Sequence, residues 1–500
     1  MLDAILRPPV KSINYALLFL GCVLFHVLGT WAVPLIDRDE PRFAEASREM
    51  IERGDYVVPH FNNKLRLDKP PLAYWTQVAS YKIFGENDFA ARFPSAIAAA
   101  LIATSILALG KRIGGEKFDY WAAIIFTLSL QTFLHAKAAV ADMWLVLFVT
   151  LAHWAGWELL KEEKLNVQRS TFNAQWGWWL LFYVSLALGF LAKGPIAWTP
   201  LLTVVVAKFL WRDADPSIAL RTSLAKRFKF VRGVLLLLVV VAMWGVPALI
   251  RTHGEFLTIG VGRHVVGRSF GAMEGHGANS FGVYLLLLPF YFVTIFASLF
   301  PWSIKLPSLA KKLCRERDNA DIYLLAGAAI IFVIFSLIKT KLPHYTLPAF
   351  PLIALLLARH WPEQQSEIFK WSAIVTASIW IAVALIIPPL MAKSFPAYAL
   401  FRESRDSLRP EMEFGAVKYQ EPSLVWYFRS RISGWMTPLS AANVSEFMEK
   451  PGPRFVVLPT TLMNASFPTL PVGWKTLTAG GFNIAKGQKV DLTLVLKPAE

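Results

Sequence analysis

Asp39 and Glu40 follow directly on a long apolar run, with Asp37 beside them. A carboxylate at the outer end of a spanning helix can act as general base toward an acceptor hydroxyl, or orient the acceptor. The competing reading is an N-cap for the helix that follows. Asp142, in HAKAAVADMWLVLF, opens another apolar run. An ionisable side chain there is a functional candidate, with capping again the alternative. Lys69 and Lys193 each precede a proline or a glycine-proline. Two ammonium groups on one face can hold a phosphate as point charges, whereas each alone reads as a snorkelling lysine. Arg263, His264 and Arg268 form a basic loop, and arginine matches phosphate oxygens geometrically. His264 and His276 offer imidazoles, but no third ligand is defined beside them, so no metal site is assigned. Lys339, Thr340 and Lys341 precede His344 and Tyr345 in LIKTKLPHYTLPAFP, whose prolines argue for a broken helix lining a cavity.

These groups need elements to position them. Hydrophobic residues make up 55% of the 500-residue chain, and mean hydropathy is +0.44. Apolar runs of about 20 residues, the length that crosses a bilayer core, recur along most of it. The chain therefore reads as an all-α polytopic membrane protein, because lipid-facing backbone must satisfy its own hydrogen bonds. A first helix is expected at 13–34, and further spans at 93–110, 119–135, 139–160, 177–192, 195–211, 231–250, 281–302, 321–338, 345–360 and 371–391. Between the first two, Asp39 to Arg53 has helical spacing with Gly54 as its stop, and Asp68-Lys69-Pro70-Pro71 opens a second amphipathic helix through Ile83. Both read as interfacial helices.

With the N-terminus inside, the basic loops around Lys111–Lys117, Lys161–Arg169, Lys208–Lys229 and Lys305–Arg317 all fall on the cytoplasmic side. The chemically suggestive segments then share the outer face. The net charge of +16 is accounted for by those loops and by anionic lipid heads, with no zinc spacing or RNA-binding motif to suggest nucleic acid. The two cysteines, Cys22 and Cys314, fall at different expected depths, so neither a disulfide nor a thiolate metal site is expected. The first apolar run is too long for a signal peptide and reads as a retained helix. After about Ala392 the composition changes to short β-like runs, Arg454 to Leu458 and Asp491 to Leu496, with turns such as Gly480-Gly481. The expected division is a membrane catalytic part over 1–391, with 37–92 as an outer loop, and a small outer α/β domain over 392–500. Several cations and a few carboxylates gathered on one face suit a lipid-linked phosphate substrate. The cations would stabilise a departing phosphate and a carboxylate would serve the attacking group.

The segments DEPRFAEASREMIERGDYVVPHFN, LDKPPLAYW, FGENDFAARFPSA, AVADMWL, LAKGP, GRHVVGR and KLPHYTLPAFP occur in this order. Together they resemble the GT-C polyprenyl-phosphate glycosyltransferases, specifically the aminoarabinose transferases acting on lipid A and bacterial relatives of protein mannosyltransferases. The resemblance implies a GT-C fold of about eleven to thirteen spanning helices with two interfacial ones. It implies Asp39 as catalytic carboxylate, supported by Glu40, and Asp142 as a second essential aspartate. It implies Lys69, Lys193, Arg268, His264, Tyr74 and Tyr345 around the carrier phosphate. The implied donor is an undecaprenyl-phosphate-linked sugar, 4-amino-4-deoxy-L-arabinose or galacturonic acid, and the acceptor lipid A or another envelope glycolipid. The expected setting is the bacterial inner membrane, with the site facing the periplasm. No cofactor is required by the resemblance, and a divalent metal is compatible with it. Asp68 departs from the Glu that often precedes Lys-Pro in aminoarabinose transferases, which leaves the sugar open. A protein O-mannosyltransferase-like acceptor, or a lipid-linked sugar transporter, are the alternatives. Transporters show paired repeats and helices interrupted at the midplane, neither of which is evident here.

Overall fold

A computed structural model describes residues 12–114, 118–161, 172–211, 224, 227–267 and 280–498. Among these, six helices are long and apolar enough to cross a membrane: Asp88–Gly114, Asp142–Lys161, Gln175–Lys193, Phe230–Arg251, Asn319–Leu337 and Ser366–Ala392. Ile13–Val27 and Pro195–Leu210 are shorter apolar helices. The chain is a multi-pass, mostly helical membrane protein with a small C-terminal α/β region.

Several expected spans are broken, each at an identifiable residue. The run expected at 119–135 becomes Phe118–Leu128 and Leu130–His135, separated by Ser129, whose ψ of 135° is extended. The run at 281–302 divides into Phe281–Leu286 and Phe290–Ser298 at Pro289, followed by a 3-10 turn Trp302–Lys305. The run at 345–360 starts as a 3-10 helix, Pro343–Ala349, and becomes α-helical only at Phe350–Arg359. Proline lacks the N–H that would continue the ladder, so each Pro-rich start gives irregular backbone.

The described chain divides into two compact units. The first comprises Met1–His26, Leu67–Ala73 and Ser95–Trp380. Its core pairs are helix on helix, chiefly Asp142–Lys161 against Phe172–Lys193 and Phe118–Leu128 against Phe350–Arg359. Small residues permit the close approach. A Cβ on Gly189 would meet the Ala197 Cβ at 2.7 Å, and one on Gly327 would meet Leu352 at 2.6 Å.

The second unit comprises Val27–Arg66, Tyr74–Pro94 and Ile381–Glu500. The helix Asp39–Arg53 ends at Gly54, whose φ of +64° is the left-handed conformation glycine adopts without penalty. A five-stranded sheet runs in the order Met436–Leu439, Glu413–Val417, Arg454–Pro459, Gln488–Lys497, Lys475–Asn483. The first three strands are parallel and the last two pair antiparallel. Phe414 stacks on Phe455 at 5.3 Å in its core. Charge ties the unit together. Arg48 donates to Glu45 at 2.8 Å, to Glu86 at 2.9 Å and to the Trp426 carbonyl at 2.9 Å, with its guanidinium 3.8 Å from the Trp426 ring centre. Arg429 pairs with Glu45 and with Glu52. Asn62 exchanges two hydrogen bonds with the Met436 backbone, at 2.8 and 2.9 Å.

Candidate active site

The first unit encloses a cavity of about 530 Å³ lined by Lys69, Asp142, Lys193, Thr340, His344 and Tyr345. Apolar side chains, among them Leu145, Ile196, Leu202, Ile334 and Phe335, make the rest of the wall. Each polar residue stands at the end or break of a helix. Asp142 is the first residue of Asp142–Lys161, and Lys193 the last of Phe172–Lys193. These are the helix ends that favour an anion and a cation respectively. Gly194 stops the second helix at φ +85°, ψ −158°, a conformation essentially confined to glycine, and Pro195 begins a 3-10 turn. The LAKGP segment therefore fixes where the ammonium projects.

Lys193 Nζ donates to Asp142 Oδ1 at 2.5 Å and lies 5.5 Å from the Tyr345 ring centre. His344 Nε2 is 3.9 Å from the same oxygen. The Asp142 carboxylate is thus engaged by a lysine across the cavity wall. The Lys339–Lys341 patch divides: Thr340 lines the cavity, while Lys341 Nζ donates to the Phe335 and Ser336 carbonyls at 2.9 and 2.6 Å. It serves the last turn of Asn319–Leu337, the usual task of a lysine at that end.

Two histidines that the sequence reading left unassigned meet here. His135, His344 and Asp142 place one ligand atom each within 4.8 Å of one another. The imidazoles lie 4.8 Å apart, centre to centre. His135 ends a short helix only seven positions before Asp142, and that short Ala-rich connection was the available signal. His344 stands in the proline-broken segment that the sequence marks as a cavity lining, but its meeting with Asp142 depends on the long-range fold. Two imidazoles and a carboxylate are donors suited to a divalent transition metal and not to the all-oxygen coordination of calcium or magnesium. If loaded, the three would hold the ion, and the ion would supply Lewis-acid polarisation of a bound oxygen.

The remaining residues of interest belong to the second unit or fall outside the description. Asp39 is the first residue of its helix and is exposed; the N-cap is Arg38, so the capping role is not realised by the Asp39 side chain. Asp39 makes no hydrogen bond or ion pair to another described residue. Its neighbour Glu40 is buried, and both its oxygens accept from Arg92, at 2.9 and 2.7 Å. Arg92 also donates to the carbonyls of Thr30, Val33 and Pro34. Asp37 accepts from Ser423 N and Oγ at 2.9 and 2.6 Å; burial outweighs those bonds and pushes its carboxyl up to about 7. Tyr74 is fully buried, accepts from Arg66 Nε at 2.8 Å and packs on Phe43. The backbone of His264 lies in the helical segment Phe256–Gly267, while Arg268 and His276 lie outside the described residues.

Residues 68–244 match the family described as dolichyl-phosphate-mannose-protein mannosyltransferase. An undecaprenyl phosphate-alpha-4-amino-4-deoxy-L-arabinose arabinosyl transferase of Erwinia tasmaniensis is 28% identical over 401 residues, 78% of this chain and 68% of that protein. A second such transferase, from Sodalis glossinidius, is 30% identical over 74% of this chain and 63% of its own length. The crystal structure of ArnT from Cupriavidus metallidurans bound to undecaprenyl phosphate has the same fold, with TM-score 0.74 at 17% identity, covering 97% of this chain and 98% of that one. The resemblance read from the sequence and the expected fold class are both borne out.

Proposed function

We propose that the chain is a membrane glycosyltransferase of the GT-C type that moves a 4-amino-4-deoxy-L-arabinose-type sugar from an undecaprenyl-phosphate carrier to lipid A, a reading supported by its likeness to the arabinosyl transferases and to the ArnT fold. The observation that carries this reading is the cavity. Its ammonium groups, Lys69 and Lys193, share a wall with apolar side chains that suit a polyprenyl tail. The transfer forms a bond between an acceptor oxygen and the anomeric carbon, and breaks the bond from that carbon to the carrier phosphate. Lys69 and Lys193 offset the charge that grows on the departing phosphate, with Arg268 and His264 assigned to the same task from the motif. A lipid A phosphate is already a nucleophile, so Asp39 orients it; a hydroxyl acceptor gives its proton to Asp39. Inversion at the anomeric carbon is the expected stereochemistry.

We place the reaction on the periplasmic face of the bacterial inner membrane, with residues 1–391 as the catalytic part and 392–500 as an outer domain. The positive-inside pattern supports that orientation. Mass spectrometry of lipid A and of envelope glycoproteins from a deletion strain tests the proposal. Loss of the amino-sugar adduct from lipid A is expected. Unchanged lipid A with lost glycans on envelope proteins would favour a protein acceptor, the reading supported by the mannosyltransferase match.

A further inference from the structure

The pair of histidines beside Asp142 has no role in the transfer just described. His344 makes no hydrogen bond to another described residue, although it sits 3.9 Å from a carboxylate and against a second imidazole. His135 is held from behind: the Gln131 amide nitrogen stands 2.9 Å from its Nδ1 and donates to it as placed, and Ser298 Oγ donates to the Gln131 carbonyl oxygen at 3.3 Å. With that amide turned so that its oxygen accepts from Nδ1–H, the lone pair falls on His135 Nε2. A hydrogen-bonded outer partner that fixes the tautomer and the ring plane is the usual support of a metal-binding histidine. The ligand atoms lie within 4.8 Å of one another and must draw together to close around an ion with bonds of about 2.0–2.2 Å.

We infer that His135, Asp142 and His344 form a divalent transition-metal site in the cavity wall, and that a bound cation takes Asp142 from Lys193. The donor set selects the ion class: two imidazole nitrogens and one carboxylate oxygen, with positions left open toward the cavity, suit Zn²⁺ or Co²⁺ over Mg²⁺. Lys193 is the built-in competitor, because its ammonium occupies Asp142 Oδ1 at 2.5 Å. Metal entry therefore sets the Lys193 ammonium free. Its availability to a substrate phosphate is the one consequence that rests on the transfer reading; the site itself does not.

The test uses the purified full-length chain in detergent, stripped with chelator and titrated with Co²⁺ alone, whose visible absorption bands report nitrogen and oxygen coordination without any sugar transfer. A saturable spectrum is expected from the wild type. His135→Gln and His344→Gln are each expected to weaken it on the order of 100-fold. Lys193→Met is expected to tighten binding about fivefold, by removing the competing ion pair; a gain of affinity cannot come from misfolding. Absence of bands in the wild type, or one affinity shared by the wild type and all three variants, would overturn the site. Transfer assayed in parallel separates the two ideas. Activity without Co²⁺ binding leaves the transferase reading standing and removes the metal site, and the converse does the reverse.

Discussion

The ion pairs that hold the second unit differ in kind from the one at the cavity wall of the first. In the second, Arg92 is buried and its guanidinium makes five hydrogen bonds, two to Glu40 and three to backbone carbonyls. Arg48 and Arg429 are likewise buried and shared among Glu45, Glu52 and Glu86. In the first, Lys193 meets Asp142 at the wall of an open cavity. A planar fork that satisfies several acceptors suits a fixed scaffold, whereas an ammonium on a flexible stem can change partners. The difference separates charge that holds the chain from charge that is available to a ligand, although both look like acid–base pairs in the sequence.

The largest effect should come from breaking the scaffold type. Arg92→Met removes the guanidinium that bonds both oxygens of the buried Glu40 and is expected to destabilise the protein by about 3–5 kcal/mol. Thermal unfolding in detergent measures this; a change near zero would erase the distinction. Next, Lys69→Ala and Lys193→Ala should each lower kcat by roughly 10²–10³-fold, the scale of losing one group that stabilises developing charge. Lys193→Ala also leaves the buried Asp142 carboxylate without its ammonium and should melt lower than the wild type, by on the order of 1–3 kcal/mol. Wild-type turnover in both would remove the cavity from the chemistry.

The Asp39-Glu40 dipeptide carries the same comparison between adjacent residues. Asp39 is exposed and free of described partners, and Glu40 is sealed under Arg92. Asp39→Asn should reduce transfer by about 10²-fold or more with little change in melting. Glu40→Gln should lower stability by about 1–3 kcal/mol through the weakened bonds to Arg92, with the surviving folded enzyme active. The reverse pattern would exchange the roles of the two carboxylates.

Sequence spacing could not make that distinction, because side-chain burial depends on Arg92, which lies in a different helix. It did expose the apolar runs, since bilayer-length segments and basic loops leave a one-dimensional trace. It did not show where Ser129, Pro289 or Pro343 interrupts them, because hydropathy averages over local breaks. Lys69, Asp142 and Lys193 were readable from their positions before proline, glycine or an apolar run. His344 was not readable as their neighbour: its approach to Asp142 depends on how distant helices pack. In the C-terminal region, short β-like apolar runs mark the strands near Arg454 and Asp491. The short parallel strands Glu413–Val417 and Met436–Leu439 have too few residues for a clear period, and Gly480-Gly481, expected as a turn, instead lies inside the strand Lys475–Asn483, paired with Asp491 and Val490.

The smallest expected effect concerns pH, and it sharpens the picture of the second unit as scaffold. Burial raises the Asp37 carboxyl from 3.8 to about 7, against the pull of its two bonds from Ser423. Burial, then the nearby Glu45, raises Glu49 from 4.5 to about 7. A carboxyl whose folded pKa exceeds its unfolded value binds its proton more tightly in the native state. Stability from such groups is therefore present in acid and lost as pH rises through about 7. The melting temperature should fall from about pH 4 to about pH 7, between the unfolded and folded values of these carboxyls, and level off above that. Asp37→Asn keeps an uncharged group of the same shape, with an oxygen to accept from the Ser423 N–H and an amide to donate to its hydroxyl. Thermal melts across that range should show a shallower decline for Asp37→Asn, and shallower still with Glu49→Gln added. A decline as steep in the double variant as in the wild type would mean that these two carboxyls do not hold protons in the folded unit.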